Sequence, residues 1–306
     1  MLWRHGLRFL PWLMSDPIDP QPPAPSERPR PRINLWLESR YRKLRRGLPQ
    51  TVFFCPLCKG DRRRARDCKQ CEGFGKLTKE SVQELIGRRL LPAMQAKLGR
   101  FHGAGREDID VLMLGRGRPF VFEVVGARNP EIDLEAMRLE IEARAGGAIE
   151  LAPFVRVARP RVAYWKETHF DKVYRAEVSL DAVPSDEAMT RARTFEGAVV
   201  QRTPQRVAHR RADLDRERQL RVLGLVVMPD GALELRVLCQ HGTYVKEWIS
   251  GDDGRTLPSL TSLLGVPCRC RVLDVEEIMT DEVSGPRLVV KDSQDKDTQG
   301  GDRVES

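Results

Sequence analysis

Nowhere do the 306 residues offer an apolar run long enough to span a bilayer, which excludes a helical membrane protein. The opening "MLWRHGLRFLPWLM" is apolar and basic, but arginine and proline interrupt it and no small-residue cleavage site follows. It therefore does not read as a secretory signal, and the expected compartment is the cytoplasm. A paired disulfide framework is also missing. The seven cysteines, at 55, 58, 68, 71, 239, 268 and 270, are odd in number. Four of them stand in CxxC pairs, which fits a reducing compartment and a metal better than disulfides. No internal repeat is visible. Regular strand–helix alternation is absent too, which argues against a doubly wound sheet.

What is present is positive charge. The net formal charge is +8 and the pI about 9.3, so the expected partner is a polyanion, RNA or DNA, although such charge also serves solubility alone. No obligate protein partner is implied. Residues 17–32, "PIDPQPPAPSERPRPR", are too proline-rich to pack a core, and the C-terminal "KDSQDKDTQGGDRVES" is too polar. The expected organisation is a disordered segment over 1–33, a basic cysteine-bearing segment over 34–80, a catalytic domain over 81–285 and a disordered tail over 286–306.

Helical spacing of Val82, Leu85, Ile86 and Leu90 predicts a helix with Ser81 as its N-cap. "PEIDLEAMRLEIEARAG" predicts another, starting at Pro130 and stopping near Gly146. "PFVFEVV", "IELAPFVRV", "KVYRAEVSL", "RQLRVLGLVV" and "CRCRVLDVEEI" read as strands. "VVMPDGALELRVLC" reads as a hairpin whose Asp230-Gly231 supplies positive φ values, with Leu233, Leu235, Val237 and Cys239 on one face. "TYVKEWIS" and "LPSLTSLLG" read as short helices. The class expected is α+β on a mixed or antiparallel sheet.

"CPLCKGDRRRARDCKQCEGFG" spaces its cysteines C-x2-C-x9-C-x2-C. Thiolates at Cys55, Cys58, Cys68 and Cys71 suit one tetrahedral Zn²⁺, with Gly60 and Gly73 where the chain must turn around it. Four protein ligands leave no open position, so this zinc is expected to be structural. The loop between the pairs is cationic and placed to touch phosphates. Cys239, Cys268 and Cys270 read as core residues.

The acidic cluster Glu107, Asp108 and Asp110 stands beside "LGRGRPF". On a strand, Asp108 and Asp110 would share a face and Glu107 the other. A metal-dependent nuclease is one explanation, with Glu123 as the strand glutamate, but Val125 stands where its lysine belongs. A single nucleophilic carboxylate is another; it needs an ionised aspartate in a partly dry pocket with a cation close by. A turn-capping aspartate is the third. The cation candidate is Lys246, at a strand-to-helix junction.

"GREDIDVLMLGRGRPF", "KVYRAEV", "QRTPQRVAHRRAD" and "HGTYVKEWISGDDGRT", in that order, resemble the segments of the archaeal and eukaryotic tRNA pseudouridine synthase family that acts on positions 54 and 55 of the TΨC loop. "RYRKLRRGLPQT" resembles its archaeal members as well, and the similarity covers about 36–278. The resemblance implies a pseudouridine synthase fold, α+β with a central sheet and a catalytic cleft. It implies isomerisation of uridine without a cofactor for catalysis, and tRNA as the partner. It makes Asp108 the catalytic aspartate and Tyr174 the ring that stacks on the target base. It makes Tyr244, Val245 and Lys246 the segment whose basic residue pairs with that aspartate, and Leu273 a pocket leucine. Arg106 is expected either to fill the space left by the flipped base or to clamp a phosphate. Arg202, Arg206, His209, Arg210 and Arg211 are expected to face the RNA backbone, or else to form ion pairs with nearby acids. Two departures stand out: only a short apolar and proline-rich stretch precedes "RYRKLRRG" where the family usually has a THUMP-containing domain, which implies either a truncated chain or docking by the cysteine knuckle and basic segments, and Leu112 stands where the family often has arginine. A catalytically weak tRNA-binding or tRNA-folding protein on the same fold is the alternative function.

Overall fold

In the computed structural model, residues 31–209, 212–281 and 288 are described. Residues 1–30 of the expected disordered segment, most of the tail, and Arg210 and Arg211 lie outside them, while Ile33, expected in that segment, opens the first strand. The element order is β1 (Ile33–Lys43), α1 (Arg62–Ala65), α2 (Val82–Ala93), β2 (Leu98–Gly103), β3 (Leu112–Ala127), α3 (Leu134–Ala145), β4 (Ile149–Leu151), β5 (Val155–Val157), α4 (Pro160–Glu167) and β6 (Lys172–Leu180). It continues with α5 (Asp186–Arg193), β7 (Glu196–Arg202), α6 (Gln205–Ala208), β8 (Asp215–Val227), β9 (Leu233–Cys239), α7 (Val245–Ser250), β10 (Thr256–Leu257), α8 (Leu260–Leu264) and β11 (Cys268–Ile278). No helix among the described residues is long and apolar enough to cross a membrane.

Among the described residues the strands form one 11-stranded sheet in the order β10-β7-β8-β9-β6-β11-β3-β1-β4, with β2 on β3 and β5 on β1. The β11–β3 pairing is parallel and the others are antiparallel. The class is therefore the expected α+β on a mixed sheet. The parallel contact is short, Asp274 opposite Leu112 and Val275 opposite Met113, yet it brings the start of β3 beside Leu273.

Local signals account for most elements. Ser81 caps α2 by accepting the Glu84 N–H, and Val82, Leu85, Ile86 and Leu90 are buried. The next helix starts later than Pro130: Asp133 is its cap, accepting from Glu135 and Ala136 N–H, and Gly146 ends it in the left-handed region. Proline at 130 fixes only its own φ, whereas Asp133 satisfies orphan amide donors. "IELAPFVRV" splits into β4 and β5, both pairing with β1. In the β8–β9 hairpin Leu233, Leu235, Val237 and Cys239 are all buried, as expected. Its turn differs: only Gly231 has positive φ, at 82°. Gly231 N–H bonds the Met228 carbonyl, leaving Pro229 and Asp230 at the centre of the turn. Proline's fixed negative φ favours this arrangement over a two-residue loop.

Strand β1, grouped by sequence with the cysteine segment, runs between β3 and the β4/β5 edge. Alternation turns Leu37, Ser39, Tyr41 and Lys43 inward, and all are buried. The glycines of "LGRGRPF" let β3 cross between neighbours. A Cβ on Gly115 (φ 52°) would lie 2.2 Å from the Glu276 carbonyl oxygen, and one on Gly117 (φ 80°) 2.7 Å from the Tyr41 carbonyl. Left-handed backbone costs a non-glycine residue about 1–2 kcal/mol before any clash. Gly115→Ala is thus expected to lower unfolding free energy by more than about 2 kcal/mol, measured by urea denaturation. A loss under about 0.5 kcal/mol, typical of neutral surface changes, would contradict this packing.

Candidate active site

The acidic cluster does not lie on a strand. Residues 106–110 form the loop that leads into β3, so its carboxylates are not sorted by strand alternation. Glu107 turns inward and is 5% exposed, whereas Asp108 and Asp110 are exposed at the rim of a cleft. Glu107 accepts from Tyr41 Oη at 2.8 and 2.9 Å and from Arg118 Nε at 2.8 Å, and lies 3.8 Å from Lys43 Nζ. Arg118 also donates to the Ala104 carbonyl at 2.7 Å, and Gln50 Nε2 to the Tyr41 hydroxyl at 2.8 Å. Burial and the negative charge of Glu107 push the Tyr41 phenol well above its usual range, so it stays a donor. Burial lowers the Arg118 pKa, but the charge of Glu107 more than offsets this, and the guanidinium stays charged.

Lys43 completes the anchor. Its buried Nζ donates to the carbonyls of Leu48 (2.9 Å), Asp108 (3.0 Å) and Ile109 (3.4 Å). The main chain at Asp108 is thereby held from below while its carboxylate faces out. Arg46 ties the far end of the loop, donating to the Asp110 carbonyl at 2.5 Å and to Asp274 at 2.9 Å. Asp274, buried beside Leu273, also accepts the Leu112 N–H at 3.1 Å. Leu112 is thus half-buried at the head of β3, at the point of its parallel contact with β11.

Lys246 reaches the loop from the second position of α7. Trp248 and Ile249 bury the inner face of that helix, leaving Lys246, with buried Val245 beside it, to line the cleft. Its Nζ is 3.0 Å from Asp110 Oδ2 and 3.8 Å from Asp108 Oδ2. The cation expected for Asp108 is therefore shared, and Asp110 holds the shorter contact. Partial burial raises the Asp110 pKa, but the Lys246 hydrogen bond and charge outweigh it, for a net lowering. Tyr244 is pinned through its backbone: the side-chain amide of buried Gln201 accepts its N–H at 2.8 Å and donates to its carbonyl at 3.0 Å.

Asp108, Arg106, Tyr174, Tyr244, Val245, Lys246 and Leu273 all line this cleft, whose volume is about 870 Å³. They come from separate segments, Tyr174 from β6 and Leu273 from β11. Leu273 and Val245 are buried, and burial raises the Tyr174 phenol pKa. Glu123 does not line the cleft; its carboxylate is 3.0 Å from both Arg100 and His102. That engagement removes the nuclease glutamate from the acidic loop.

The arginine-rich segment is mixed. Arg202 pairs with Asp213 at 2.6 Å, and Arg206 with Glu247, while Arg206 also lines the cleft. His209 is exposed. The ion-pair reading thus holds for Arg202 and Arg206.

The sulfur atoms of Cys55, Cys58, Cys68 and Cys71 all lie within 4.8 Å of one another, two of the pairs at 3.7 Å. A tetrahedron with Zn–S of about 2.3 Å has edges of about 3.8 Å, so the cluster is compatible with a structural zinc. Gly60 and Gly73 have φ of 75° and 85°, as expected at the corners. Between the pairs, α1 exposes Arg62, Arg63 and Arg64 over buried Ala65. Cys239 and Cys268 are buried in the core and Cys270 packs against it.

The buried anchor of Tyr41, Lys43, Gln50, Glu107 and Arg118 was missed in the sequence. Its signal was there: alternation along "LWLESRYRK" puts a tyrosine and a lysine on the same face as Leu37. Removing one partner of a buried ion pair typically costs about 3–5 kcal/mol. Glu107→Gln is expected to lower unfolding free energy by about that amount in urea denaturation; a loss below about 1 kcal/mol would contradict the anchor.

A family model described as "Pus10, C-terminal" matches residues 36–279. A curated "tRNA pseudouridine synthase Pus10" of Methanothermobacter marburgensis is 45% identical over 246 residues, 80% of this chain and 60% of the relative. The protein so named from Methanothrix thermoacetophila is 43% identical over 245 residues, 80% and 53% of the two chains. That from Korarchaeum cryptofilum is 40% identical over 250 residues, 81% and 66%. The chain thus spans less than two thirds of the length of these relatives. A chain of the crystal structure of a Cbf5-Nop10-Gar1 complex aligns over 64% of this chain and 45% of its own, with TM-score 0.37 and 18% identity.

Proposed function

The chain belongs to the Pus10 family, and from that premise we propose that it is a tRNA pseudouridine synthase, isomerising uridine at positions 54 and/or 55 of the TΨC loop. The observation that carries the reading is the convergence of Asp108, Lys246, Tyr174 and Leu273 on one cleft. The reaction breaks the N-glycosidic bond, turns the base and rejoins it to the ribose through C5. It has no net redox change, so no redox cofactor is called for.

The target uridine must leave its stack to be reached, at a cost of a few kcal/mol. Stacking on Tyr174 would return about 1–3 kcal/mol. Asp108, exposed at the rim while Lys43 fixes its main chain, is the reacting carboxylate in this reading. It attacks the sugar or the base, or abstracts a ribose proton. Lys246 offsets one of the two aspartate charges and orients both carboxylates. Leu273 and Val245 dry the floor of the cleft, where electrostatic contacts are stronger than in water. Arg106, exposed at the rim, either occupies the space vacated by the base or holds a phosphate. The arginines of α1 and the exposed Phe54 and Phe74 near the cysteines suit an RNA surface of charge and stacking. The compartment proposed is the cytoplasm.

Unmodified tRNA transcript incubated without added metal, followed by position-resolved mapping of pseudouridine, tests the reading. Wild type and Asp110→Asn are expected to form product at 54 and/or 55, and Asp108→Asn none. Product from Asp108→Asn but not Asp110→Asn would move the nucleophile to Asp110. A gel shift without product in any variant would support the binding protein instead.

The same reading gives Cys55, Cys58, Cys68 and Cys71 a structural zinc, which supplies folding free energy and no chemistry. About one zinc per chain is expected by inductively coupled plasma mass spectrometry, and Cys68→Ser should lose it. Purified wild type free of zinc and still folded around the cysteines would refute this assignment.

A further inference from the structure

The cleft holds a second ionisable cluster. Lys172 opens β6 two residues before Tyr174, so both side chains leave the strand on one face, and both line the cleft. Lys172 Nζ donates to the Phe170 carbonyl at 2.9 Å and lies 3.5 Å from His241 Nδ1. The His241 ring, also in the cleft lining, stacks on His169 with centroids 4.2 Å apart and planes 10° apart. Around Lys172 stand Arg118 of β3, the adjacent Asp171 and the Cys239 thiol across β9; Arg218 lies near His241.

Isomerisation makes a demand beyond the glycosidic step assigned to Asp108. Whichever way the glycosidic bond breaks, the product has a C1′–C5 bond, has lost the C5 proton and has gained one at N1. The site therefore needs a proton acceptor that works near neutral pH. Glu107 is held by Arg118, Asp110 is held by Lys246, and Asp108 is committed to the glycosidic step. Guanidinium groups of Arg106 and Arg206 accept no proton. Burial raises the Tyr174 phenol, which disfavours the phenolate an acceptor would require. Burial pushes the His241 imidazole down to about 4, a weak acceptor. Burial also pushes the Lys172 ammonium down, to about 8, where the neutral amine is populated.

On the reading of the reaction given above, we propose that Lys172 takes the C5 proton after the base has rejoined the ribose through carbon, with His241 orienting its Nζ. The C5–H bond breaks and its electron pair restores the ring. The proton passes to the amine, N1 is protonated from water, and the ammonium later releases its proton to solvent. Nothing is oxidised or reduced.

Single-turnover tritium release from tRNA carrying [5-³H]uridine, followed against pH at saturating enzyme, tests the proposal. The wild-type rate is expected to rise with pH through a limb near 8 and then level. Lys172→Met, and Lys172→Arg, which stays cationic, should lose the limb and slow release by about 10²–10⁴-fold with tRNA affinity unchanged. Asp171→Asn removes a charge that raises the Lys172 pKa, so its limb should move to lower pH with activity retained. Wild-type rates and an intact limb in both Lys172 variants would overturn the proposal. If those variants fail to fold, an unmoved limb in Asp171→Asn overturns it. Wild type that forms no pseudouridine at all would instead bring down the proposed function, and this inference with it.

Discussion

One carboxylate shut away from water sets the geometry of this site. Glu107 would be intolerable where it lies without partners, since an unpaired buried charge costs several kcal/mol. Arg118, Tyr41 and Lys43 supply them, from β3 and β1. Because those strands pair with each other, the sheet itself fixes the network. The loop carrying Glu107 must then follow one path, and the next residue, Asp108, emerges at the cleft. The acidic cluster in a basic protein is therefore two things: an inward anchor, and a pair of outward carboxylates that share Lys246.

The second half of the site depends on the first through packing. Lys246 faces the loop because Trp248 and Ile249 commit the other side of α7 to the core. Gln201 fixes the helix start by holding both backbone polar groups of Tyr244. The parallel contact of β11 with β3 brings Leu273 to the same place. Groups more than a hundred residues apart in sequence thus meet in one cleft.

How much of this could be read from the chain alone follows from the range of the interactions. Helix α2 was legible because its signals are local: a serine cap and apolar residues at helical spacing. The cysteine cluster was legible because its ligands come in close pairs. The hairpin was visible, but its turn type was not, since Pro229 controls φ where Asp-Gly alone suggested a shorter loop. The strand assignment of Asp108 and Asp110 failed because two residues of spacing imply a shared face only if the backbone is extended. That Asp110 lies nearer Lys246 than Asp108 depends on how a loop is anchored by β1, which no local pattern encodes. Tyr174 and Leu273, and the catalytic role of Asp108, were named through resemblance, Lys246 was a cation candidate before it, and Lys172 and His241 emerge only once strands β6 and β9 are side by side.

The most direct test of the account is a crystal structure of the chain with a TΨC stem-loop carrying 5-fluorouridine at the target position. The account predicts that nucleotide turned out of its stack, its ring against Tyr174 and its ribose beside the Asp108 carboxylate, with Lys246 on the far side. RNA bound on another face of the sheet, with the cleft empty, would contradict it.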